Sequence, residues 1–381
     1  MKQTDSHSED SIQAQIKIVH LSSAHGDRDV RIFLKECVSL AKVYKNSQVH
    51  LILAGVEERI EEGVSIHSVT ANNGGRLKRM WNTVNQVGNK ALELQGDIYH
   101  LHDPELLRIA LKLKRKGKKV IYDAHEDLPR QIMGKSYLPV KGIISWCVEH
   151  FENFVVKKLD GVIGATPFIA ERFIKIKSNT IAVNNYPLES EIEFVQKTNS
   201  EKVNSICYIG GISQIRGIES LVKSMEFTDV KLELAGAIAP EFRAELIKLN
   251  GWEKVNELGF IDRQTSMQLK QQSIAGIVTF LPFPNHINAQ PNKIFEYMAA
   301  GLPVIGSYFP LWKSLIEKNN CGICVDPSNP NEIADAINKL VNDKALAKKM
   351  GENGRKLVQT VYHWNAEEKV LIDFYQSLIA K

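Results

Sequence analysis

The feature that most constrains the fold is a regular alternation of short apolar runs with longer amphipathic stretches. The apolar runs have the length of strands and are hydrophobic almost without interruption, which is typical of parallel strands covered by helices on both faces. In the first half of the chain they are residues 16–21, 49–54, 98–101, 120–122 and 161–165. This alternation predicts an α/β chain with doubly wound parallel sheets and right-handed crossovers.

The alternation pauses near residue 185 and then starts again. Residues 196–202 are polar and have the composition of a linker. The chain has 381 residues, which suits about two domains. We predict a disordered tail over residues 1–15, Rossmann-like domains over 16–190 and 204–362, and a linker over 191–203.

A last amphipathic stretch follows the second domain. Asn365 and Glu368 have the spacing of a capping box at its start. Its apolar stripe consists of Val370, Leu371, Phe374 and Leu378. A helix placed after a complete domain must bury such a stripe against another element. We expect residues 363–381 to form a helix that packs on the first domain, while the two domains face each other across a central cleft.

Composition and charge exclude several classes of protein. Apolar residues make up 44% of the chain and charged residues 24%, which excludes a collagen, a coiled coil or a disordered main body. The first fifteen residues lack the apolar core of a signal peptide, so we expect a cytoplasmic protein. The net charge of +4 permits an anionic ligand or membrane surface, and no aromatic-basic pattern indicates nucleic acid.

The cysteines do not predict a disulfide framework, because five is an odd and sparse number for this length. Cys321 and Cys324 have the spacing of a redox pair or of half a zinc site, but no second pair accompanies them. We interpret this segment as a turn that leads into a buried strand.

Ligands of doubly wound sheets bind outside the carboxyl ends of the strands, so the residues that follow each strand are the candidates. After the first strand, Gly26 precedes a helix and would let a phosphate approach backbone N–H groups. Asp27 and Asp29 are either a metal pair or, as we favour, a helix cap and a first-turn acid.

Histidines and carboxylates follow two further strands of the first half. His102 and Asp103 follow one, and His125 and Asp127 follow the other. Together they resemble a metal site, but a histidine at a strand end also donates to a phosphate or a sugar hydroxyl without any metal. A structural role is equally compatible with the position of His102.

The first strand of the second half is followed by Gly210, Gly211 and Arg216. Adjacent glycines let the backbone come close to a ligand, and the guanidinium of Arg216 can bind two phosphate oxygens. The alternative is a tight turn with a solvated arginine.

Residues 284–306 form the most informative segment. Lys293 falls in the first turn of a predicted helix, where the helix dipole disfavours a cation unless an anion is bound nearby. Glu296 lies one turn later, and its carboxylate can accept two hydrogen bonds from a vicinal diol such as a ribose.

Residues 292–305 read NKIFEYMAAGLPVI and are similar to the PNKxFEYMAAGxPVI form of a Glu-x7-Glu motif. The strand ends at residues 100–103 and 123–126, and the loop at 210–217, are similar to segments of the same family in order and position. On these residues the chain resembles the retaining glycosyltransferases of family 4, which have the two-domain GT-B fold, from residue 16 to the last helix.

The resemblance implies transfer of a sugar from a nucleotide diphosphate donor, with UDP as the expected nucleotide, to an acceptor hydroxyl. It implies no metal ion and no other cofactor. Matched by position, Glu296 holds the ribose hydroxyls, Arg216 and Lys293 neutralise the diphosphate, and His125 reaches the transferred sugar. His125, Arg216 and Lys293 are therefore the expected catalytic residues.

The remaining donor residues follow from the same resemblance. Gly26 matches a glycine that approaches the diphosphate, and the turn at Phe260 matches a segment that frames the base. Asn288 stands where the motif has its first glutamate, and Gly211 stands where the family has an arginine. The complete donor set is Gly26, Gly210, Gly211, Arg216, Phe260, Asn288, Asn292, Lys293 and Glu296.

The family binds its acceptor in the first domain. The acceptor candidates of this chain are Asp29, Arg31, Lys35, His102 and Asp103. Basic stretches at residues 76–81 and 112–119 suit contact with an anionic membrane. We therefore expect a hexosyl- or N-acetylhexosaminyltransferase that acts on a saccharide or lipid-linked acceptor at the inner face of a membrane, in surface polysaccharide or glycolipid synthesis.

Two alternatives remain open. A nucleotide-sugar 2-epimerase on the same fold would use acid and base groups at the sugar carbon, for which Asp103, Glu105, Glu126 and Asp127 are candidates. A non-catalytic nucleotide-sugar-binding subunit is compatible with Asn288 in place of the first glutamate. Turnover separates these alternatives from a transferase.

Overall fold

The computed structural model describes residues 16–44, 48–71, 76–135, 138–197 and 202–380, without the side chains of 76–79 and 194–197. These residues form two α/β halves, each built around one sheet. The alternation in the sequence therefore predicts the fold class correctly. The tail predicted over 1–15 lies outside the described residues.

The first sheet has eight strands in the order β3-β4-β2-β1-β5-β6-β7-β8. The strands are β1 (Lys17–Leu21), β2 (Gln48–Ala54), β3 (Arg59–Glu61), β4 (Val64–Val69), β5 (Ile98–Leu101), β6 (Lys119–Ala124), β7 (Gly161–Gly164) and β8 (Thr180–Ala182). All neighbours pair in parallel except β3 and β4. The strand order reverses direction between β1 and β5, which is where doubly wound sheets bind ligands.

The helices of the first half are α1 (Val38–Val43), α2 (Arg76–Leu94), α3 (Leu107–Arg115), α4 (Leu128–Met133), α5 (Lys141–Val156), α6 (Pro167–Ile174) and α7 (Glu189–Lys197). A π-helical segment, Val30–Cys37, leads directly into α1. One face of the sheet packs against α2, α3, α5 and α6, and the other against the π-helical segment and α1.

The register of the central strands places the polar residues at one edge of the sheet. Leu21 of β1 pairs with Leu101 of β5, and Leu101 pairs with Tyr122 of β6. The residues that follow, His102 and Asp123, therefore lie side by side at the carboxyl edge.

The second sheet has six parallel strands in the order β11-β10-β9-β12-β13-β14. The strands are β9 (Ser205–Ile209), β10 (Lys231–Ala235), β11 (Val255–Gly259), β12 (Gly276–Val278), β13 (Val304–Ser307) and β14 (Gly322–Val325). The helices are α8 (Ile218–Ser224), α9 (Pro240–Leu246), α10 (Arg263–Gln272), α11 (Asn292–Ala299), α12 (Pro310–Ile316), α13 (Pro330–Asn342), α14 (Lys344–Thr360) and α15 (Trp364–Ile379). The order of this sheet reverses between β9 and β12.

The final helix α15 lies against the first sheet, although it follows the second half in sequence. Leu371, Phe374 and Leu378 join the core on the α1 side of that sheet. A Cβ on Gly161 of β7 would overlap the ring of Phe374, so this glycine permits the close contact. The predicted capping box is wrong, because Asn365 lies inside the helix, where its amide donates to Glu189 at 3.1 Å.

One domain boundary and several elements differ from the sequence prediction. The linker predicted over 191–203 is wrong in its first part, since residues up to Lys197 belong to α7, and residues 198–201 lie outside the described residues. No predicted element corresponds to the strands β3, β4 and β8 or to the helices α2, α4, α6, α7 and α14. None of the helices in the described ranges is both long and apolar enough to cross a membrane.

Candidate active site

A cavity of about 580 Å³ lies between the carboxyl edges of the two sheets. The first half contributes the segment after β6, helix α4 and the start of α6. The second half contributes the loops after β9 and β12 and the start of α11. The predicted site residues in its lining are His125, Gly210, Arg216, Asn288, Asn292, Lys293 and Glu296. The structure therefore brings the three predicted catalytic residues and six of the nine predicted donor residues into one cavity.

Lys293 lies in the first turn of α11 and reaches over the loop that follows β9. Its ammonium group lies 5.6 Å from the ring centre of Tyr208. A Cβ on Gly210, which has a φ of +141°, would clash with that ammonium group. Burial, and then the positive charge of Arg216, lowers the pKa of Lys293 to about 8. An anion bound between the two cations would relieve their repulsion.

Arg216 ends a short 3₁₀ turn, Gln214–Arg216. Its guanidinium lies over the ring of Phe280, 4.9 Å from the ring centre. Among the described residues, neither Arg216 nor Lys293 forms an ion pair with a carboxylate. The second half thus presents two cations to the cavity, and the charge of Glu296 acts on Lys293 without a direct ion pair.

Glu296 lies one helical turn after Lys293 and also lines the cavity. One of its carboxylate oxygens accepts a hydrogen bond from Lys270 of α10 at 3.0 Å. Burial alone would raise the pKa of Glu296, but the charge and hydrogen bond of Lys270 lower it below its usual value. The carboxylate therefore stays ionised and is held in place, with 35% of its side chain exposed.

The loop between β12 and α11 carries Asn288 and Asn292 and is anchored from the second half. Trp312 donates from its indole nitrogen to the carbonyl oxygen of Ala289 at 2.7 Å. His286 is buried and hydrogen-bonds a backbone carbonyl at the start of the loop at 3.0 Å. These bonds hold the polar loop in position at the cavity wall.

His125 follows β6 and lines the cavity from the side of the first half. Its Nε2 lies 3.1 Å from a carboxylate oxygen of Asp123. Arg31 donates two hydrogen bonds to the same carboxylate, at 2.9 and 2.8 Å. Burial alone would raise the pKa of Asp123, but the guanidinium of Arg31 lowers it well below its usual range. Because ionised Asp123 only accepts, Nε2 of His125 carries the proton.

A chain of buried hydrogen bonds leads from α15 to Asp123. His100 contacts the hydroxyl of Tyr375 at 2.8 Å, and that hydroxyl contacts His20 at 3.3 Å. His20 contacts His102 at 2.9 Å, and His102 lies 3.4 Å from Asp123. Burial lowers the pKa of His102 to about 4 and the pKa values of His20 and His100 well below 6.5. Each neutral ring carries one N–H, and Nδ1 of His102 also lies 3.3 Å from Nε2 of His125.

Three of the predicted acceptor residues are wrong as contacts to an acceptor. Arg31, His102 and Asp103 are 4%, 1% and 3% exposed. Arg31 is bound to Asp123 and to the carbonyl of Val183, and His102 belongs to the buried chain. The polar groups of all three are buried and bound to other residues of the first half, so they are not presented to an acceptor.

Asp103 is held by the loop that follows β1. It accepts hydrogen bonds from Ser22 at 2.8 Å and from the backbone of Ser23 at 2.6 Å. Burial would raise the pKa of Asp103, but the hydrogen bond from His25 lowers it to about 2. Asp103 is thus an ionised anchor for that loop.

Asp29 and Lys35 also have structural partners. Asp29 caps the π-helical segment by accepting from the backbone of Ile32 at 2.9 Å, which confirms the predicted cap. The predicted first-turn acid is wrong, because Asp27 lies before the segment and pairs with Arg59 at 2.8 Å. Lys35 is 2% exposed and binds Asn185. Its burial lowers the pKa of its ammonium group to about 8.

Three predicted donor residues lie outside the cavity lining. Phe260 is 90% exposed, and Gly211 and Gly26 lie in exposed loops. The ring of His25, next to Gly26, packs 5.1 Å from the ring of His125. The structure therefore places the Gly26 loop beside the cavity without bringing Gly26 into its wall.

Several cavity residues were not among the predicted ones. They are Arg130, Gln131, Thr166, Phe168 and Asn285 in the lining, and Lys270 behind Glu296. Thr166 and Phe168 follow β7, so the strand-end rule extended to that strand finds them. No sequence signal marks Lys270, because its role depends on the packing of α10 beside α11.

Two groups of described side chains have donor atoms close enough for a metal ion. They are His20, Glu36, His100 and His102, and His102, Asp123 and His125. The nitrogens of His20 and His102 already bond each other, and His125 already donates to Asp123. A cation in either group would displace these hydrogen bonds. The expectation that no metal is required stays a prediction.

Comparison with known proteins identifies both halves. Residues 37–184 match the family model described as Glycosyltransferase Family 4, and residues 189–357 match the model described as Glycosyl transferases group 1. The chain is 25% identical over 215 residues to an uncharacterized glycosyltransferase of Methanocaldococcus jannaschii, covering 53% of this chain and 54% of the relative. It is 25% identical over 166 residues to the capsular polysaccharide biosynthesis glycosyltransferase CapM of Staphylococcus aureus, covering 41% and 42%. The chain thus spans about half the length of these relatives.

Solved structures share the fold. Sucrose-phosphate synthase from Thermosynechococcus elongatus superposes with a TM-score of 0.76 at 18% identity, over 96% of this chain and 100% of the other. Anabaena HepE in complex with UDP-glucose superposes with a TM-score of 0.70 at 17% identity, over 95% and 100%. The two halves therefore have the GT-B arrangement.

Proposed function

Because this chain belongs to the family 4, group 1 glycosyltransferases, we propose that it moves a sugar from a nucleoside diphosphate donor to an acceptor hydroxyl with retention of configuration. One observation carries the proposal. Within the part of the chain that the structure describes, Arg216 and Lys293 line, without a direct ion pair, a cavity whose opposite wall holds His125. A donor whose diphosphate lies on the cations places its sugar near the histidine.

The diphosphate accounts for the two cations. The guanidinium of Arg216 can bind two phosphate oxygens, and the ammonium group of Lys293 adds a point charge beside them. The backbone at Gly210 has no side chain to keep a phosphate away. As the sugar–phosphate bond breaks, the same cations would stabilise the charge that develops on the leaving group, so no metal ion is needed.

Glu296 suits the ribose of the donor. Its ionised carboxylate is held by Lys270 and lies one turn beyond Lys293. A vicinal diol can donate two hydrogen bonds to one carboxylate. Ribose hydroxyls bound there would lie one helical turn from the diphosphate, with Asn288 and Asn292 on the adjoining loop.

The chemical step uses the leaving group as the base. The bond between the anomeric carbon and the phosphate oxygen breaks, and a bond to the acceptor oxygen forms on the same face. The proton of the acceptor hydroxyl moves to an oxygen of the departing diphosphate. Nε2 of His125 retains its proton and donates it in a hydrogen bond to Asp123. Nδ1 can therefore accept a hydrogen bond from a sugar hydroxyl.

The relatives narrow the substrates that we propose. HepE holds UDP-glucose, and CapM acts in capsular polysaccharide synthesis, each as its name states. We therefore propose UDP as the nucleotide, a hexose or N-acetylhexosamine as the transferred sugar, and a saccharide or lipid-linked acceptor used in surface polysaccharide or glycolipid synthesis. The reaction would take place in the cytoplasm.

A thermal-shift panel tests the proposal. The purified chain is heated with UDP-, GDP-, ADP- and CMP-sugars, each with and without EDTA. A ligand at a hundredfold excess over its Kd stabilises the native state by about 2.7 kcal/mol. We expect a nucleoside diphosphate sugar to raise the melting temperature, and EDTA to leave the shift unchanged.

No shift with any member of the panel would contradict donor binding, and a shift abolished by EDTA would contradict metal independence. The product then separates the remaining alternatives. A transferase forms a new glycoside only when an acceptor is present, and NMR gives its anomeric configuration. An epimerised donor formed without acceptor, or binding without turnover, would overturn the transferase proposal.

A further inference from the structure

Helix α5 exposes an apolar face that the fold itself does not use. We define the α5 apolar face as Val140, Ile143, Trp146, Phe151 and Phe154. Their exposed fractions are 65%, 64%, 59%, 45% and 51%. Three of them, Ile143, Trp146 and Phe154, recur at the spacing of one helical stripe. Soluble chains rarely expose a contiguous group of large apolar side chains unless it binds something.

The opposite side of α5 already makes the contacts that hold the helix on the sheet. Val155 and Val156 are buried in the core. Glu152 is buried, binds Arg172, and accepts from Tyr122 at 3.0 Å. The contacts that hold α5 on the sheet therefore do not involve the α5 apolar face.

The charges around this face are positive. Lys157 and Lys158 continue the exposed stripe at the end of α5, and the ammonium group of Lys158 lies 3.8 Å from the ring centre of Phe154. The neighbouring helix α3 exposes Lys112, Arg115 and Lys116.

The acidic side chains of α5 add no free negative charge to this face. Glu149 is ion-paired with Arg130 at 2.7 Å, and Glu152 is buried. Apolar and aromatic side chains bordered by lysines match an anionic bilayer, where the rings enter the boundary of the acyl chains and the lysines contact phosphates.

The face is connected to the cavity through α4, which packs against α5. Arg130 and Gln131 of α4 line the cavity, and so does Phe168 of α6, which is 40% exposed. A membrane contacting the α5 apolar face would therefore lie beside the cavity entrance on the first half.

We propose that the α5 apolar face docks the protein on an anionic lipid surface, from which the acceptor enters the cavity. The docking rests on the exposed face alone. The delivery of a lipid-linked acceptor rests in addition on the function proposed above.

Vesicle co-sedimentation tests the docking. The probes are vesicles of phosphatidylcholine alone and of phosphatidylcholine with 30% phosphatidylglycerol, the latter chosen as about a third anionic lipid. We expect at least tenfold tighter binding to the anionic vesicles. W146E/F154E and K157E/K158E should each weaken that binding at least tenfold, and tryptophan emission of the parent chain should shift to shorter wavelength on binding.

The matched control is Phe227→Glu, because Phe227 is 53% exposed and lies in the second half. This variant should sediment like the parent chain. The proposal would be overturned if the control and test variants lost vesicle binding equally, or if the parent chain did not bind anionic vesicles. A dimer that W146E/F154E converts to monomer without vesicle binding would also overturn it, because the face would then join two copies of the chain.

The nucleotide panel separates failure of the docking from failure of the proposed function. W146E/F154E should keep the full donor-induced shift in melting temperature, since the α5 apolar face lies outside the donor residues. Vesicle binding without any nucleotide shift would retain the docking and overturn the transferase, and the reverse result would overturn the docking alone.

Discussion

The carboxyl edges of the two sheets face the same cavity, but their polar side chains differ in burial and pairing. In the first half, Arg31, His102 and Asp123 bind one another and are buried. In the second half, Arg216 and Lys293 face the cavity without a direct ion pair to any carboxylate of the described residues. Strand ends of the same architecture thus serve as a rigid internal network in one half and as an open cationic surface in the other.

This difference indicates that the second half is the one whose cations would be stabilised by a bound anion. Asp123 of the first half is neutralised within the protein by Arg31, so substitutions in that network should mainly change stability. Arg216 and Lys293 of the second half form no direct ion pair among the described residues, so substitutions of these two should mainly change ligand binding and turnover. The following variants test this division, from the largest expected effect to the smallest.

Arg31→Ala should give the largest loss of stability. It leaves Asp123 and Glu36 buried without their cation, and breaking a buried ion pair costs about 3–5 kcal/mol. Urea denaturation measures the free energy of unfolding. The control is Arg28→Ala, since the side chain of Arg28 is 66% exposed in its pair with Glu61, and exposed pairs contribute about 0–1 kcal/mol. Equal losses in both variants would contradict the internal network.

Arg216→Ala should spare stability and lower turnover. Loss of a group that stabilises transition-state charge costs about a hundredfold to a thousandfold in kcat. The matched control is Arg243→Ala, an exposed arginine of the second half paired with Glu257, and it should turn over at the parental rate. Parental turnover in Arg216→Ala would show that the diphosphate lies elsewhere.

Glu296→Ala should weaken binding of the nucleoside diphosphate by about 1–3 kcal/mol, because the ribose loses a charged hydrogen-bond partner. Calorimetry with UDP and with inorganic diphosphate separates the two parts of the donor. Only UDP should lose affinity. In this variant Lys270, which is 7% exposed, loses its ion-pair partner. The double variant Glu296→Ala/Lys270→Met removes that unpaired buried cation and serves as the control. Equal losses for both ligands would refute the ribose assignment.

Tyr375→Phe should cause a small loss of stability and change the tautomers of the buried histidines in the first half. Loss of the hydroxyl leaves Nε2 of His20 without its hydrogen-bond partner, which costs about 1–3 kcal/mol of stability. It also frees the tautomers of His20 and His102, which nitrogen NMR of the imidazole rings reports. Tyr99→Phe is the control, because Tyr99 is buried and donates only to the carbonyl of Ala91. Unchanged His102 tautomers in Tyr375→Phe would show that Tyr375 is not coupled to His102 through His20.

The sequence predicts the strand-helix architecture well, because parallel strands must be apolar on both faces. The missed elements have identifiable causes. Strand β3 is short and partly exposed, so it lacks an apolar pattern. Helix α14 contains Gly351 and Gly354, which look like helix breakers in sequence. In the structure, a Cβ on Gly351 would clash with the carbonyl of Gly301, so the glycine serves close packing.

The cavity residues show a similar limit. The position of a residue after a strand predicts that His125, Arg216 and Lys293 converge, since parallel strands end at one edge. It does not predict whether a polar group is already paired. Arg31 and His102 occupy equally suitable sequence positions but are bound internally. Pairing depends on strand register and helix packing, which a single sequence does not state.

Proton uptake on donor binding tests the central claim most directly. Lys293 has a pKa of about 8, lowered by burial and by Arg216. A bound diphosphate would raise this pKa, so affinity should fall as pH rises through 8 and binding at pH 8 should take up about half a proton.

Calorimetry of UDP or GDP binding at pH 8 in two buffers of different ionisation enthalpy gives this number. Uptake should be close to zero in Lys293→Arg, whose guanidinium does not titrate. Binding without proton uptake, or equal uptake in Lys293→Arg, would contradict the claim that the unpaired cations of the second half hold the diphosphate.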